Sequence, residues 1–162
     1  AQNPEYFGGR LRSKILFNLG DSNIDTPRIL FGEKKPHVYP SDWSWPPQDL
    51  EIPKIVMVDA FHVNKWEQER TDPRLKFVGR GLLGFLKAQQ AESGNVLTSG
   101  LQPEIIPSAT YVERAVREIY RVVPQGGAYI TACGTDDWWT DTARSLFPRE
   151  REFEPRVLVF EK

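Results

Sequence analysis

The sequence predicts a three-layer αβα sandwich, with a mostly parallel central sheet held between helices. Three observations carry that expectation. Short apolar runs alternate with stretches of helical periodicity along most of the chain. The run "KIVMVDAFHV" (54–63) is apolar on both faces, as a strand of a parallel sheet covered on both sides must be. A strongly amphipathic run, "SATYVERAVREIYRVV" (108–123), is broken by Pro124 and by Gly126 and Gly127 before a β-rich run begins at Ala128.

The elements follow in order. "SKILFNLG" (13–20) reads as a buried strand closed by a Gly-Asp-Ser-Asn turn, and "IDTPRILFGE" as a short irregular helix after it. "KPHVYPSDW" (35–43) is a weaker strand near an edge, because Pro40 cannot donate to a ladder. "SWPPQDLEIP" is loop, and 54–63 is the clearest strand. "DPRLKFVGRGLLGFLKAQQAE" (72–92) places Leu75, Val78, Leu82, Leu83 and Leu86 at helical spacing. Gly79, Gly81 and Gly84 oppose that helix by up to about 1 kcal/mol each.

"GNVLTSG" (94–100) is a short strand. The helix over 108–123 has Ser108 as its cap and Val112, Ala115, Val116, Ile119, Val122 and Val123 as its apolar stripe. "GAYITACG" is a strand, and "DDWWTDTARSLF" a helix whose two leading acids suit the positive end of its dipole. "REREFEPR" (149–156) reads as mixed-charge surface. "RVLVFEK" reads as a last strand, antiparallel beside the one starting at Ala128. One domain over 13–162 follows, preceded by an N-terminal extension over 1–12, with no internal repeat.

Composition narrows the function. With 162 residues, 40% apolar and 27% charged, the chain is long enough for one real core. A formal net charge of −1 gives no overall basic excess for nucleic acid or an anionic membrane. No apolar run approaches the roughly 20 residues that span a bilayer, and the first residues lack a signal core. The expected location is the cytoplasm, or a cytoplasm into which a larger protein delivers this domain. Cys133 is the single cysteine, which excludes an intrachain disulfide and dithiol chemistry and fits a small buried thiol. His37 has no neighbour to share a metal with, so no metal site is expected. Trp43, Trp45, Trp66, Trp138 and Trp139 are mostly core residues on this reading.

In a doubly wound sheet, ligands bind beyond the carboxyl ends of the strands. The residues there are Asn18, Gly20, Asp21, Ser22 and Asn23, then Asp42, then Asp59, Ala60, Phe61 and His62, then Thr98, Ser99, Gly100, Leu101 and Gln102. A glycine turn lets backbone approach a ligand. Asp42 lies 22 positions after Gly20, close to the separation of about 20 expected of an acid that binds ribose hydroxyls. Asp59 is placed to accept from an adenine amino group, with Phe61 against the ring. Each has a plainer role open to it: Asp59 as a strand-end acid or helix cap, Asp42 in an ordinary turn, His62 as structural rather than as a catalytic base.

The segment "REIYRVVPQGGAYIT" resembles the approach to the fifth strand in class I S-adenosylmethionine-dependent methyltransferases, where a helix ends in Arg-Val-Leu-Lys-Pro-Gly-Gly and a strand follows. "ILFNLGDSN" is similar to that family's first nucleotide loop, "VYPSDW" to its second-strand acid, "VMVDAF" to its third-strand acid, and "NVLTSGLQPE" to its fourth strand and loop. The resemblance covers roughly residues 13–162. It implies a Rossmann-like fold and S-adenosylmethionine as cofactor, held by Asn18, Gly20, Asp21, Ser22, Asp42, Asp59, Ala60, Phe61, Thr98, Ser99 and Gly100. His62 is the one residue that would serve as a base.

The family prefers an acid and three alternating glycines where this chain has Asn18, Gly20, Ser22 and Ile24. The implied acceptor is a small molecule or a protein. "SGLQPE" lacks the aromatic of an Asn-Pro-Pro-Tyr clamp, which disfavours a DNA base. The Asn-Leu-Gly loop also resembles methyltransferase-like domains of bacterial polymorphic toxins, which would imply an immunity protein as partner. A non-catalytic interaction module on the same fold and a toxin effector domain are the alternatives.

Overall fold

The computed structural model describes residues 15–20, 25–31, 52–70, 72–99, 101, 108–131, 137–154 and 157–162. Its strands are β1 (Ile15–Leu19), β2 (Ile55–Val58), β3 (Leu75–Val78), β4 (Gly94–Thr98), β5 (Ala128–Thr131), β6 (Arg149–Glu154) and β7 (Val157–Glu161). Its helices are α1 (Asp25–Leu30), α2 (Val63–Glu69), α3 (Leu82–Ala88), α4 (Ala109–Val122) and α5 (Asp137–Leu146). The strands form one sheet in the order β3-β2-β1-β4-β5-β7-β6. The first five are parallel, and β7 runs antiparallel to both β5 and β6.

The inner parallel strands β1, β2, β4 and β5 are buried on both faces because each face has its own layer of helices. Phe17, Leu19, Val56, Val58, Val96, Tyr129 and Phe160 pack against Phe85 and Leu86 of α3, the stripe of α4, and Trp139 and Ala143 of α5. Leu16, Ile55, Met57, Leu75, Phe77, Leu97 and Ile130 pack on the other side, with Trp66 of α2 and Leu30 of α1. The period-2 alternation assigns each side chain to its layer, so one slip in register would bring the wrong set to each face.

The apolar stripe of α4 is buried as its spacing predicts, and the Ser108 hydroxyl accepts from the Tyr111 N–H at 3.2 Å, a cap worth about 1 kcal/mol. The helix stops at Pro124. Gly126 turns the chain at φ +74°, and Gly127 sits where an added Cβ would come within 2.8 Å of Asn95 Oδ1 and of the Pro124 ring. Asn95 Oδ1 needs that clearance, because it accepts from the Ala128 N–H at 2.8 Å and starts β5 beside β4.

Three elements depart from the sequence expectation. The span 72–92 is not one helix: its first part is β3 and only Leu82–Ala88 is helical. Leu75 and Phe77 are buried while Lys76 between them is exposed, a strand alternation, and Gly79 and Gly81 separate it from the helix. The run 54–63 ends as a strand at Val58, and Val63 begins α2. "REREFEPR" contains β6, an edge strand whose charged side chains discourage pairing with another chain. The expected strand over 35–43 and the extension over 1–12 lie outside the described residues.

Candidate functional site

The parallel register lines up four strand ends. Leu19 of β1 pairs with Val58 of β2 and with Thr98 of β4, and Val58 pairs with Val78 of β3. The residues that follow are therefore neighbours in the order Gly79, Asp59, Gly20, Ser99. Chain order reverses beside β1, since β2 lies on one side and β4 on the other. That is the switch point at which open α/β sheets take ligands.

Gly20 leaves β1 at φ +75°, in the left-handed region that favours glycine. A Cβ there would run into the Leu101 side chain and come 3.4 Å from the Ser99 carbonyl oxygen. Leu101 is buried, and its side chain packs directly on Gly20. The Ser99 N–H donates to the Leu19 carbonyl at 3.3 Å and carries the ladder to the edge of the site.

Asp59 shapes the neighbouring loop. Its Oδ1 accepts from the Phe61 N–H at 2.6 Å, the His62 N–H at 2.9 Å and the His62 ring at Nδ1, also 2.9 Å. This turn ends β2 and starts α2, so the plain role foreseen for Asp59 as a strand-end turn former is real. Its Oδ2 makes no hydrogen bond among the described residues and retains acceptor capacity. Phe61, at the tip of the loop, is 85% exposed and offers an apolar ring beside the acid.

On the other side of the switch point, the Thr98 hydroxyl and the Tyr129 hydroxyl meet at 2.9 Å, both fully buried. Burial pushes the Tyr129 phenol above its ordinary range, which favours the protonated form that can donate to Thr98. Asn18 is also buried, one residue before the strand end, in register with Met57 and Leu97.

The structure thus brings together Gly20, Asp59, Ala60, Phe61, His62, Thr98 and Ser99 at one edge of the sheet, while Asp21, Ser22, Asp42 and Gly100 lie outside the described residues. One assignment changes. The strand beside β1 is Ile55–Val58, so the acid at the second strand end is Asp59, not an acid of a third strand. The third strand end is Gly79–Arg80, which the helical reading of 72–92 concealed. An added Cβ at Gly79 would sit 3.3 Å from Val63, so α2 packs closely there. The signal that would have found it is "LKFVGRG", an alternating run followed by two glycines.

Among known structures, the whole of this architecture recurs. A chain assigned as a methyltransferase from Streptococcus mutans, in complex with SAH, superposes with a TM-score of 0.61 at 13% identity, over 98% of this chain and 94% of that one. This chain has the class I methyltransferase fold. A chain assigned as a methyltransferase from Haloferax volcanii, in complex with the activator Trm112, matches with a TM-score of 0.54 at 15% identity, over 78% of this chain and 49% of that one. Spermidine synthase from Thermotoga maritima matches with a TM-score of 0.55 at 10% identity, over 98% of this chain and 58% of that one. The chain therefore spans about half the length of these last two and nearly all of the first. No family model and no curated protein matches the sequence.

Proposed function

We propose that this class I fold binds S-adenosylmethionine across the ends of β1, β2 and β4 and directs methyl transfer to a small molecule or a protein. The observation that carries the proposal is the adjacency of Gly20 and Asp59 at the switch point. Gly20 leaves β1 in a positive-φ turn, and beside it an acid keeps one oxygen for a donor. Asp59 would receive a ribose hydroxyl, the role that spacing alone had pointed to in Asp42. Phe61 and the β3 end at Gly79–Arg80 would flank the base, and Ser99 with the loop after β4 would face the amino-acid end. Asp21, Ser22, Asp42 and Gly100 stay in the proposed cofactor set on the strength of the sequence resemblance. When bound, the cofactor supplies an electrophilic methyl sulfonium, and the protein's part is positioning and exclusion of water. The hydrogen bond between His62 and Asp59 supports a role for His62 beside the cofactor rather than as a general base.

A second reading, a non-catalytic module on the same fold, draws on Asn18. Its neutral amide is buried at the place where the family carries an acid, so it brings no charge to a cationic amino group. The same fold also serves a spermidine synthase, so the fold does not fix the reaction. A toxin effector role rests on the Asn-Leu-Gly loop alone. A protein partner, as in the complex with Trm112, is proposed here only by analogy of fold.

Calorimetry with S-adenosylmethionine and S-adenosylhomocysteine tests the proposal. The expected result is a dissociation constant below millimolar, weakened about tenfold by Asp59→Ala. Heat-silent titrations at millimolar ligand, or an Asp59→Ala protein that binds as the wild type does, would refute it.

A further inference from the structure

We infer, on the basis of the nucleoside site proposed above, that His62 is a positioning residue for Asp59. It holds Oδ1 of the carboxylate so that the acid meets its ligand through Oδ2 alone. Oδ1 accepts three hydrogen bonds, which fills the capacity of one carboxylate oxygen. Two come from backbone N–H groups and survive any side chain at position 62. The third comes from the imidazole, and it depends on His62 itself.

The imidazole is 42% exposed and is braced from the core on one side. Its ring lies over Trp66 with centroids 5.9 Å apart and planes 31° apart, and Trp66 in turn packs on Phe77 at 5.7 Å. Trp66 is 1% exposed, so this stack is anchored in the interior. Facing a carboxylate oxygen, Nδ1 donates both in the neutral Nδ1–H tautomer and in the cation. The carboxyl torsion of an Asp side chain is broad and roughly two-fold. A side-chain donor locked in place removes that freedom and leaves a single acceptor.

A consequence for specificity follows. An acid that grips a ribose diol uses both oxygens, one for each hydroxyl. With Oδ1 filled, Asp59 has one oxygen to give, so it distinguishes the two hydroxyls rather than clamping the pair.

The test measures S-adenosylhomocysteine affinity by calorimetry alongside thermal unfolding. His62→Phe keeps a ring over Trp66 and removes the donor; it should weaken binding about fivefold, the worth of one hydrogen bond. His62→Asn restores a short amide donor and should return affinity to within about twofold of wild type. In the Asp59→Ala background His62→Phe should change nothing further, because the residue acts through the carboxylate. Unchanged affinity in His62→Phe, no rescue in His62→Asn, or additive losses would each overturn the inference. If Asp59→Ala itself leaves affinity unchanged, the nucleoside site fails first; if only His62→Phe is silent, the site stands and the positioning role falls. Where the Phe variant does not fold, His62→Leu, which also lacks a donor, decides by the same affinity measurement: a loss of about fivefold supports the inference and an unchanged affinity overturns it.

Discussion

The parallel half of the sheet and the antiparallel hairpin at its far edge handle their polar groups differently. Where β2 and β1 end, Asp59 shapes its own turn and keeps one oxygen unused among the described residues, and Gly20 turns the chain at positive φ against Leu101. Where β7 ends, the polar groups are spent on closure. The Lys162 ammonium donates to the carbonyls of Tyr120 at 2.9 Å and Val123 at 3.0 Å, and its N–H donates to the Gly127 carbonyl at 3.2 Å. These bonds satisfy the last carbonyls of α4 with a cation at the negative end of its dipole. One region thus leaves binding capacity at its strand ends, and the other uses its polar groups to hold the fold together. Substitutions in the first should move ligand affinity most, and in the second stability alone.

The sharpest separation is expected at Gly20. Gly20→Ala forces a side chain into the left-handed region, at about 1–2 kcal/mol, and drives its Cβ against Leu101. We expect a fall in Tm of roughly 4–8 °C and a loss of S-adenosylhomocysteine affinity beyond tenfold. Adding Leu101→Ala relieves the contact and should recover part of the Tm, because the φ cost remains. An alanine variant that binds normally would show that the turn after β1 is structural and that the contrast with the hairpin is false.

Lys162→Met is the counterpart. It keeps an unbranched apolar side chain and removes the ammonium, which caps α4 and lies 4.5 Å from the Tyr120 ring centroid. A loss of about 1 kcal/mol is expected, seen as a Tm lower by roughly 2–4 °C, with ligand affinity unchanged within about twofold. A shift in affinity larger than the shift in stability would mean that the hairpin communicates with the strand ends.

The same contrast explains what the sequence made legible. Two-sided apolar runs exposed β1, β2, β4, β5 and β7, and the stripe of α4 was readable residue by residue. The antiparallel pairing of "RVLVFEK" with the strand from Ala128 was also expected and is observed. β3 was hidden because Leu75, Val78 and Leu82 satisfy a helical period as well as a strand followed by a helix. β6 was hidden because an edge strand needs no apolar face, and its arginines and glutamates read as surface. The site was legible as a set of strand ends but not in its order. Which strand lies beside β1 is decided by tertiary pairing, and a chain with a run such as 35–43 before Ile55 offers two choices to a reader of sequence alone. The His62–Asp59 bond is not readable from the sequence, since a spacing of three residues carries no rotamer.

The smallest effect expected concerns Glu161, the last residue of β7, between β5 and β6 at the open end of the hairpin. This side chain is 2% exposed, in register with Ala128 on one side and Arg149 on the other. Burial raises its carboxyl above the ordinary value of 4.5. The guanidinium groups of Arg149 and Arg151 approach only to 3.9 and 3.5 Å and are more than half exposed, so solvent screens their attraction. In the window between the unfolded and the raised folded value, the native state binds more protons than the unfolded one. Stability due to this group therefore falls as pH rises through that window and stays reduced above it. Glu161→Gln removes the ionisation while keeping the shape. We expect the variant to be the more stable at neutral pH, by on the order of 1 kcal/mol, and the advantage to vanish below pH 4.5, where the acid is protonated in both states. Urea unfolding at a series of pH values measures the difference directly. A wild type that is the more stable at pH 7 would show that the arginines outweigh desolvation, and that the hairpin edge is held by an ion pair rather than in spite of a buried charge.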